Sequence, residues 1–177
     1  MRLPERIEGE GLLLRRWRVE DAELLGAAVA ESVEHLLPWM PWAAEEPLTI
    51  EARRELIAGW ERDWQDGGDV VLGIVEDGRV AGGTGLHRRR GPGALEIGYW
   101  LHPAYVGRGV ATTTARLLTG AAFTVPGIDR VEIWHEPANV RSGAVPRRLG
   151  FRRVGEVDGD RVWRMTREAW SLVSSRS

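Results

Sequence analysis

Two glycines near the middle of the chain, Gly107 and Gly109, stand where a strand gives way to a helix, a position suited to binding phosphate. Residues 106–111 read Val-Gly-Arg-Gly-Val-Ala, and a segment of small residues follows as far as Pro126. The first N–H groups of a helix have no intrahelical acceptor and can hold a phosphate or diphosphate. Residues 97–128 contain no Asp or Glu, so no carboxylate occupies the first helical turn. A tight turn without a ligand is the alternative interpretation.

The strand that leads into this loop has two different faces, as its alternating residue types show. Leu95, Ile97, Tyr99 and Leu101 fall on one face, and Glu96, Gly98, Trp100 and His102 fall on the other. Pro103 ends the strand. Residues 130–135 form a further strand, and the helix between the two predicts that they pair in parallel through a right-handed crossover.

Hydrophobic periodicity predicts the remaining elements. The predicted strands are Leu12–Trp17, Val70–Glu76, Arg79–His87, Phe151–Val157 and Arg161–Thr166. The predicted helices are Val19–Glu31, Thr49–Asp66 and Asn139–Leu149, the last of which contains Pro146 and should be kinked or begin late. The chain shows no repeat or linker, so we expect one domain over residues 1–177.

Three short segments allow more than one interpretation. Residues 36–42, Leu-Leu-Pro-Trp-Met-Pro-Trp, form either a core plug or an aromatic wall against a substrate. Gly82–Gly85 lies inside a strand, so a bulge or the close approach of a neighbour explains it better than a nucleotide loop. The basic run Arg88–Arg90 is interpreted as a solvated turn.

Composition excludes several kinds of function. The formal net charge is -2, which argues against general nucleic-acid or membrane-surface binding. The chain has no cysteine, so a disulfide and a cysteine acyl-enzyme are excluded, and its four scattered histidines give no support to a metal site. With neither a signal peptide nor a membrane helix in the sequence, we expect a cytoplasmic protein.

Four motifs in register resemble the GNAT superfamily of N-acetyltransferases, and within it the Rim-type enzymes that acetylate N-terminal amines of ribosomal proteins. They are Glu96–Leu101, Gly107–Thr112, Asn139–Ser142 and Arg148–Phe151. The order of the preceding elements agrees as well, so the resemblance covers nearly the whole chain. It implies an α/β (α+β) GNAT fold with a mixed, mostly antiparallel sheet of six to seven strands and about four helices.

The resemblance also implies the ligand and the residues that hold it. Acetyl-CoA would occupy the gap between two splayed parallel strands, without a metal. Its pantetheine arm would bond to backbone at Tyr99, Trp100, Leu101 and His102, and Asn139 would orient the arm. Its diphosphate would rest on Val106, Gly107, Arg108, Gly109, Val110 and Ala111, with Thr112 completing the motif.

Amide formation requires an unprotonated amine, a polarised thioester and a proton for the departing thiolate. Under the resemblance Glu96 removes the amine proton, directly or through water, and Ser142 is the general acid toward sulfur. A Glu96 paired only with arginine, and a Ser142 and an Asn139 that only cap a helix, are the structural alternatives. His135 and Glu136 are the reserve candidates for the base.

The acceptor side of the predicted site is less defined. Trp39 and Trp42 would form a wall of the acceptor pocket, and His87 and Arg88 could face the same cleft. Glu96 and His135 are also expected to contact the acceptor. The expected acceptor is a primary amine on a protein N-terminus or a small molecule, and the protein is expected to be a monomer or a homodimer. The alternatives are an antibiotic- or toxin-modifying acetyltransferase and a CoA-binding sensor without activity.

Overall fold

The computed structural model describes residues 2–175, whose eight strands form one sheet in the order β1-β2-β3-β4-β5-β6-β8-β7. The strands are β1 Arg6–Gly9, β2 Leu12–Arg16, β3 Val70–Glu76, β4 Arg79–His87, β5 Ala94–Leu101, β6 Arg130–His135, β7 Arg152–Val157 and β8 Asp160–Thr166. All neighbours pair antiparallel except β5 and β6, which are parallel. The predicted parallel pair is confirmed.

Within the described residues, 2–175, six α-helices accompany the sheet. They are α1 Ala22–Ala30, α2 Val33–Leu36, α3 Ile50–Gln65, α4 Val110–Thr124, α5 Val140–Arg148 and α6 Arg167–Ser174. Short 3-10 turns cover Val19–Asp21, Pro41–Glu45 and Pro103–Tyr105.

The fold class is confirmed, but the predicted numbers of strands and helices were too low. The strand β1 was missed because its four residues, Arg-Ile-Glu-Gly, are exposed or half-buried and carry no apolar alternation. The short helix α2 and the helix α6 were also missed. Among the apolar residues of α6, Leu172 and Val173 are exposed, so this helix gives little periodic signal.

The two faces of β5 are used as its alternation predicts. Leu95 and Ile97 are at most 1% exposed and share a core with Ala115 and Leu118 of α4. On the other face Trp100 packs against a second core that α1 and α3 form with Trp17. The sheet is therefore covered on both sides.

The strands β5 and β6 separate soon after they meet. Their parallel pairing covers only Ala94–Glu96 against Arg130–Glu132. From Ile97 onward β5 remains paired with β4 but no longer with β6. A wedge thus opens inside the sheet, toward the carboxyl ends of both strands.

The glycines of β4 follow the predicted explanation. The pairing offset with β3 shifts between Ile74 and Val75, which leaves Ala81 as the extra residue of a bulge. A Cβ on Gly82 would lie 2.1 Å from the carbonyl oxygen of Trp100, and one on Gly83 would lie 2.3 Å from the Trp100 indole nitrogen. Both the bulge and the close approach are therefore present.

Candidate active site

A cleft of about 720 Å³ lies on the α1 and α3 side of the sheet and reaches the wedge between β5 and β6. Gly83, Glu96, Gly98 and Trp100 belong to its sheet surface. Other lining residues are Trp39, Trp42, Leu56, Trp60, His87, Arg89, Arg90, Trp134, His135, Asn139 and Ser142. The cleft thus brings together the residues that the sequence assigns to catalysis and to the acceptor, except Arg88, which is not part of its lining.

The segment with Trp39 and Trp42 forms a wall and not a core plug. The two indoles are 36% and 37% exposed and both line the cleft. Trp42 meets Trp100 edge-on, with ring centroids 6.0 Å apart. Leu36 and Ala43 of the same segment are buried and fix it to the body of the protein.

A buried ion pair fastens this wall to α3. Arg53 donates to both carboxylate oxygens of Glu46, at 2.9 and 2.6 Å, and each side chain is about 5% exposed. Glu46 also accepts the Leu48 N–H at 3.0 Å. Removing one partner of such a buried pair leaves an uncompensated charge, at a typical cost of about 3–5 kcal/mol.

Glu96 is buried and engaged by two arginines. Arg89 donates to its two oxygens at 2.5 and 3.0 Å, and Arg90 donates to Oε2. The hydrogen bond to Glu96 raises the pKa of Arg89, against the opposing effect of burial. The run Arg88–Arg90 is therefore not simply a solvated turn. Three of the roughly four lone-pair positions of Glu96 are occupied, so accepting an amine proton would require it to rearrange.

A second compensated carboxylate lies beside the first. Glu132 is 3% exposed and stands opposite Glu96 in the parallel register. It accepts hydrogen bonds from Arg164 at 2.9 Å and from the Trp134 indole at 2.8 Å. The Arg90 guanidinium lies 3.4 Å from the Trp134 ring centroid. Charge at the point where the strands separate is thus balanced by arginine.

His87 forms a dyad with Asp69, a residue that the sequence analysis did not select. The His87 Nδ1 and Asp69 Oδ2 atoms are 2.7 Å apart, and the other Asp69 oxygen accepts the Arg88 N–H at 2.7 Å. Burial alone would raise the pKa of Asp69, but the hydrogen bonds from His87 and Arg88 outweigh it and hold that pKa below the usual value. An ionised carboxylate only accepts, so the proton between the two groups resides on Nδ1.

His135 lines the cleft but has both ring nitrogens engaged. Its Nδ1 donates to the Glu136 carbonyl at 2.7 Å, and its Nε2 accepts from the Trp163 indole at 3.0 Å. The ring is 6% exposed. The structure therefore gives His135 no free lone pair for an acceptor amine, and its predicted place as a reserve base lacks support.

The helix α5 carries Asn139 at its N-cap and Ser142 in its first turn. The Asn139 side chain accepts the Ser142 N–H at 3.2 Å, which is the capping role. Both residues also line the cleft, so capping leaves them accessible to a ligand.

Pro146 lies inside α5, as predicted, and Tyr99 compensates for it. Proline has no N–H, so the carbonyl four residues earlier, that of Ser142, loses its helical donor. The Tyr99 hydroxyl donates to that carbonyl at 2.9 Å and lies 3.2 Å from the Ser142 hydroxyl. Burial raises the pKa of Tyr99 to about 12, although the hydrogen bond with Ser142 partly lowers it. The helix begins at Val140, so it does not start late.

Gly143 is explained by its neighbour across the cleft. A Cβ at this position would lie 2.7 and 2.8 Å from two atoms of the His135 ring. A glycine in the first turn of α5 therefore lets the helix rest directly on that ring.

The glycine loop before α4 has the expected conformation. Gly107 and Gly109 have φ of +77° and +80°, and Gly109 is the N-cap of the helix. The first bond into the helix runs from the Thr113 N–H to the Gly109 carbonyl, which leaves the N–H groups of residues 110–112 available. The Val106 N–H donates to the Pro103 carbonyl at 3.3 Å, and Arg108 pairs with Glu76. The loop is outside the cleft's lining.

The main-chain N–H and C=O groups of successive β5 residues point alternately toward β4 and toward the wedge. The His102 N–H donates to the Ala81 carbonyl at 2.8 Å, so it is directed at β4 and away from a ligand in the wedge. Antiparallel ladders alternate, which assigns Trp100 to β4 as well and leaves Tyr99 and Leu101 facing the wedge. This narrows the predicted backbone contacts from four residues to two.

Several cleft residues were missed from sequence. Leu56, Ile57, Trp60 and Trp64 recur at helical spacing, a pattern typical of core, but only Ile57 and Trp64 are buried, and Leu56 and Trp60 line the cleft. Across residues 2–175 no group of His, Asp and Glu side chains is arranged to hold a metal ion. In the same residues no helix is long and apolar enough to span a membrane.

Comparisons with known proteins identify the family. Residues 11–152 match the sequence model of the acetyltransferase (GNAT) domain. The chain is 32% identical over 149 residues to YdaF of Bacillus subtilis, to which ribosomal N-acetyltransferase activity is provisionally assigned; the match covers 83% of this chain and 81% of YdaF.

Solved structures agree with this assignment. RimJ of Mycobacterium smegmatis, in complex with CoA-disulfide, superposes with a TM-score of 0.78 at 25% identity, covering 93% of this chain and 89% of RimJ. The microcin C7 self-immunity acetyltransferase MccE, in complex with acetyl-CoA and AMP, gives 0.80 at 21% identity, covering 89% of this chain and 93% of the other. The chain belongs to the GNAT family of N-acetyltransferases.

Proposed function

We propose that this protein uses acetyl-CoA to acetylate a primary amine directly, in a ternary complex of the protein with both substrates. The observation that carries the proposal is the wedge between β5 and β6, because it lies between the cleft for the acceptor amine and the helix start that would hold acetyl-CoA. The cleft with its aromatic wall lies on one side of the wedge. The uncapped start of α4 follows β5 in the chain.

The donor half would be held mainly by backbone. The N–H groups of residues 107–112 would bind the diphosphate, where two glycines supply the required φ and the first turn of α4 contains no acidic residue. Tyr99 and Leu101 would offer main-chain groups to the pantetheine arm, and Asn139 would orient it. The relative RimJ, solved with a CoA derivative, supports this choice of ligand.

The chemistry would be a single transfer. The amine nitrogen attacks the thioester carbonyl, the carbon–sulfur bond breaks, and one amine proton leaves while the thiolate takes one up. Ser142 would supply the proton to sulfur, with its hydroxyl placed by Tyr99 and by the start of α5. The sequence-based assignment of Glu96 as the proton acceptor stays a prediction, and its two arginine partners are the observation against it.

The acceptor would enter along the tryptophan wall. Trp39, Trp42 and Trp60 offer apolar surface, while Glu45, Glu136 and Asp160 add carboxylates to the cleft. Such carboxylates attract a cationic amine, and an apolar wall favours its neutral form once bound. The name of YdaF supports a ribosomal-protein N-terminus as the acceptor. Residues 1–177 are proposed to form one acetyltransferase domain.

The test is a screen for the acetylated product. Purified protein is incubated with acetyl-CoA and a mixture of peptides with all N-terminal residues and small primary amines, and products are identified by mass spectrometry. CoA release with an acetylated peptide N-terminus is the expected result. Consumption of a free small molecule would instead favour an antibiotic- or toxin-modifying enzyme. Acetyl-CoA binding without any turnover would overturn the proposal in favour of a sensor.

A further inference from the structure

We propose that His87, held by Asp69, is the base that removes the proton from the acceptor amine. The proposal rests on the acetyl transfer proposed above and assigns one of its steps to a residue on β4. The proton leaves the attacking nitrogen for His87 Nε2 as the new carbon–nitrogen bond forms. The imidazolium then returns it to water after the thiolate has left.

The first step of the argument is the state of the imidazole. Asp69 is ionised and only accepts, so Nδ1 of neutral His87 carries hydrogen and Nε2 carries a lone pair. Asp69 is itself fixed by the Arg88 N–H. Within residues 2–175 no hydrogen bond is made by Nε2, and the side chain is 19% exposed.

The second step is the direction of the free nitrogen. A Cβ on Gly85 would lie 2.9 Å from His87 Nε2, and one on Gly98 would lie 3.6 Å from it. The nitrogen therefore lies above two glycines that pair across β4 and β5, and one of them, Gly98, lines the cleft. Gly98 is two residues beyond Glu96, the last residue of β5 that pairs with β6. The lone pair is thus close to the opening of the wedge.

The third step is the state of the competing groups. Glu96 stands directly opposite His87 in the sheet, but its oxygens are taken by Arg89 and Arg90. His135 has both nitrogens bonded. Histidine is also the side chain whose charge changes between pH 5 and 8, which suits a base at neutral pH.

Other charged groups near His87 bear on any pH profile. Asp69 faces it from the segment before β3, Arg88 and Arg89 follow it in the chain, and Glu96 faces it from β5. The remaining titratable or charged groups of the cleft are Glu45, Glu46, Arg53, Arg90, His135, Glu136 and Asp160. Substitutions at positions 69 and 87 therefore distinguish the contribution of the dyad to a pH–rate profile from the contributions of these other groups.

The decisive variant is Asp69→Asn. The Asn oxygen would keep the bond from the Arg88 N–H, so its NH₂ group would face His87 and donate to Nδ1. The imidazole would then carry its hydrogen on Nε2, the wrong nitrogen for a base, while His87 remains in place. We expect kcat to fall about 100-fold or more, the usual worth of a general base, with the KM for acetyl-CoA within about twofold.

His87→Gln should give a similar loss of kcat and should remove the acidic limb of the pH profile that belongs to the imidazole. His35→Gln, on α2 and outside the cleft lining, is the matched control and should leave both unchanged. Glu96→Gln should leave the acidic limb in place. If Glu96→Gln removed that limb and His87→Gln did not, the assignment would be overturned.

A second measurement does not depend on turnover. Long-range ¹H–¹⁵N NMR on the free protein reports which ring nitrogen of each histidine carries hydrogen. Hydrogen on His87 Nδ1 in the wild type, moved to Nε2 in Asp69→Asn, is expected; hydrogen on Nε2 in the wild type would refute the proposal. Absence of turnover in the wild type with the expected tautomer would contradict the acetyl transfer and not the dyad.

Discussion

The contact between Tyr99 and α5 makes a quantitative prediction about stability. Pro146 deprives the Ser142 carbonyl of a helical donor, and the Tyr99 hydroxyl replaces it at 2.9 Å. Tyr99→Phe removes that donor and leaves a partly buried carbonyl unsatisfied, at a cost of about 1–3 kcal/mol. For a chain of this length about 2 kcal/mol corresponds to a fall in Tm of roughly 4–8 °C.

A double-mutant cycle isolates the interaction. Alanine at position 146 restores an N–H within reach of the Ser142 carbonyl, so Tyr99→Phe should cost less than half as much in the Pro146→Ala background. The assay is thermal and urea unfolding of the four proteins, followed by circular dichroism. An equal loss in both backgrounds would show that Tyr99 stabilises the protein by packing alone and would refute the reasoning.

Three further predictions concern the loop, α5 and the dyad. Gly109→Ala should raise the KM for acetyl-CoA about tenfold in steady-state assays, because the N-cap of α4 needs φ of +80°. The control is Gly127→Ala, which has nearly the same φ and equally open surroundings but lies away from the loop, and it should leave this KM unchanged. Gly143→Ala should lower the free energy of unfolding by about 1–3 kcal/mol, measured in urea, since its Cβ would collide with His135; an unchanged midpoint would contradict this. The pKa of Asp69 is lowered in the folded protein, so its contribution to stability is present above its unfolded value of 3.8 and is lost as the pH falls through the lower folded value. The difference in unfolding free energy between wild type and Asp69→Asn should therefore shrink as the pH falls below about 4.

Local pattern was enough to predict most of the scaffold. The alternation around Glu96 and the glycines before α4 are short-range signals, and they predicted a two-faced strand, a parallel partner and an uncapped helix start. In β1 the signal is a single apolar residue, Ile7, which packs against the core but is only partly buried, and the rest of the strand is defined by its pairing with β2.

The Asp69–His87 dyad shows why the site was harder to predict. An unbroken hairpin around Asp77-Gly78 would have placed Gly68 opposite His87 and turned Asp69 to the other face. The bulge at Ala81 shifts the offset by one residue, so continuing the pairing of Val70 with Leu86 brings Asp69 opposite His87. The glycines of β4 indicated a bulge or a close approach, but they did not indicate which residue would be extra or that Asp69 would change face as a result.

The pairing of Glu96 was unpredictable for a related reason. The run Arg88–Arg90 is sequence-local and was interpreted by composition, whereas its contact with β5 depends on how the chain turns back after β4. Arginine and glutamate in one sequence allow many pairings, and only the tertiary fold selects among them.

The ion pair between Glu46 and Arg53 has a consequence for how acceptor preference can change. It fastens the tryptophan segment to α3 next to the start of the helix, and neither of its two residues lies within 39–45 or in the glycine loop. Residues 39–42 and 44–45 can therefore be exchanged for others of different bulk and charge while the ion pair, the buried Ala43, the wedge and the loop are retained. Grafting the corresponding segment of another family member between Leu36 and Glu46 is thus a direct route to transplanting acceptor preference without rebuilding the donor half.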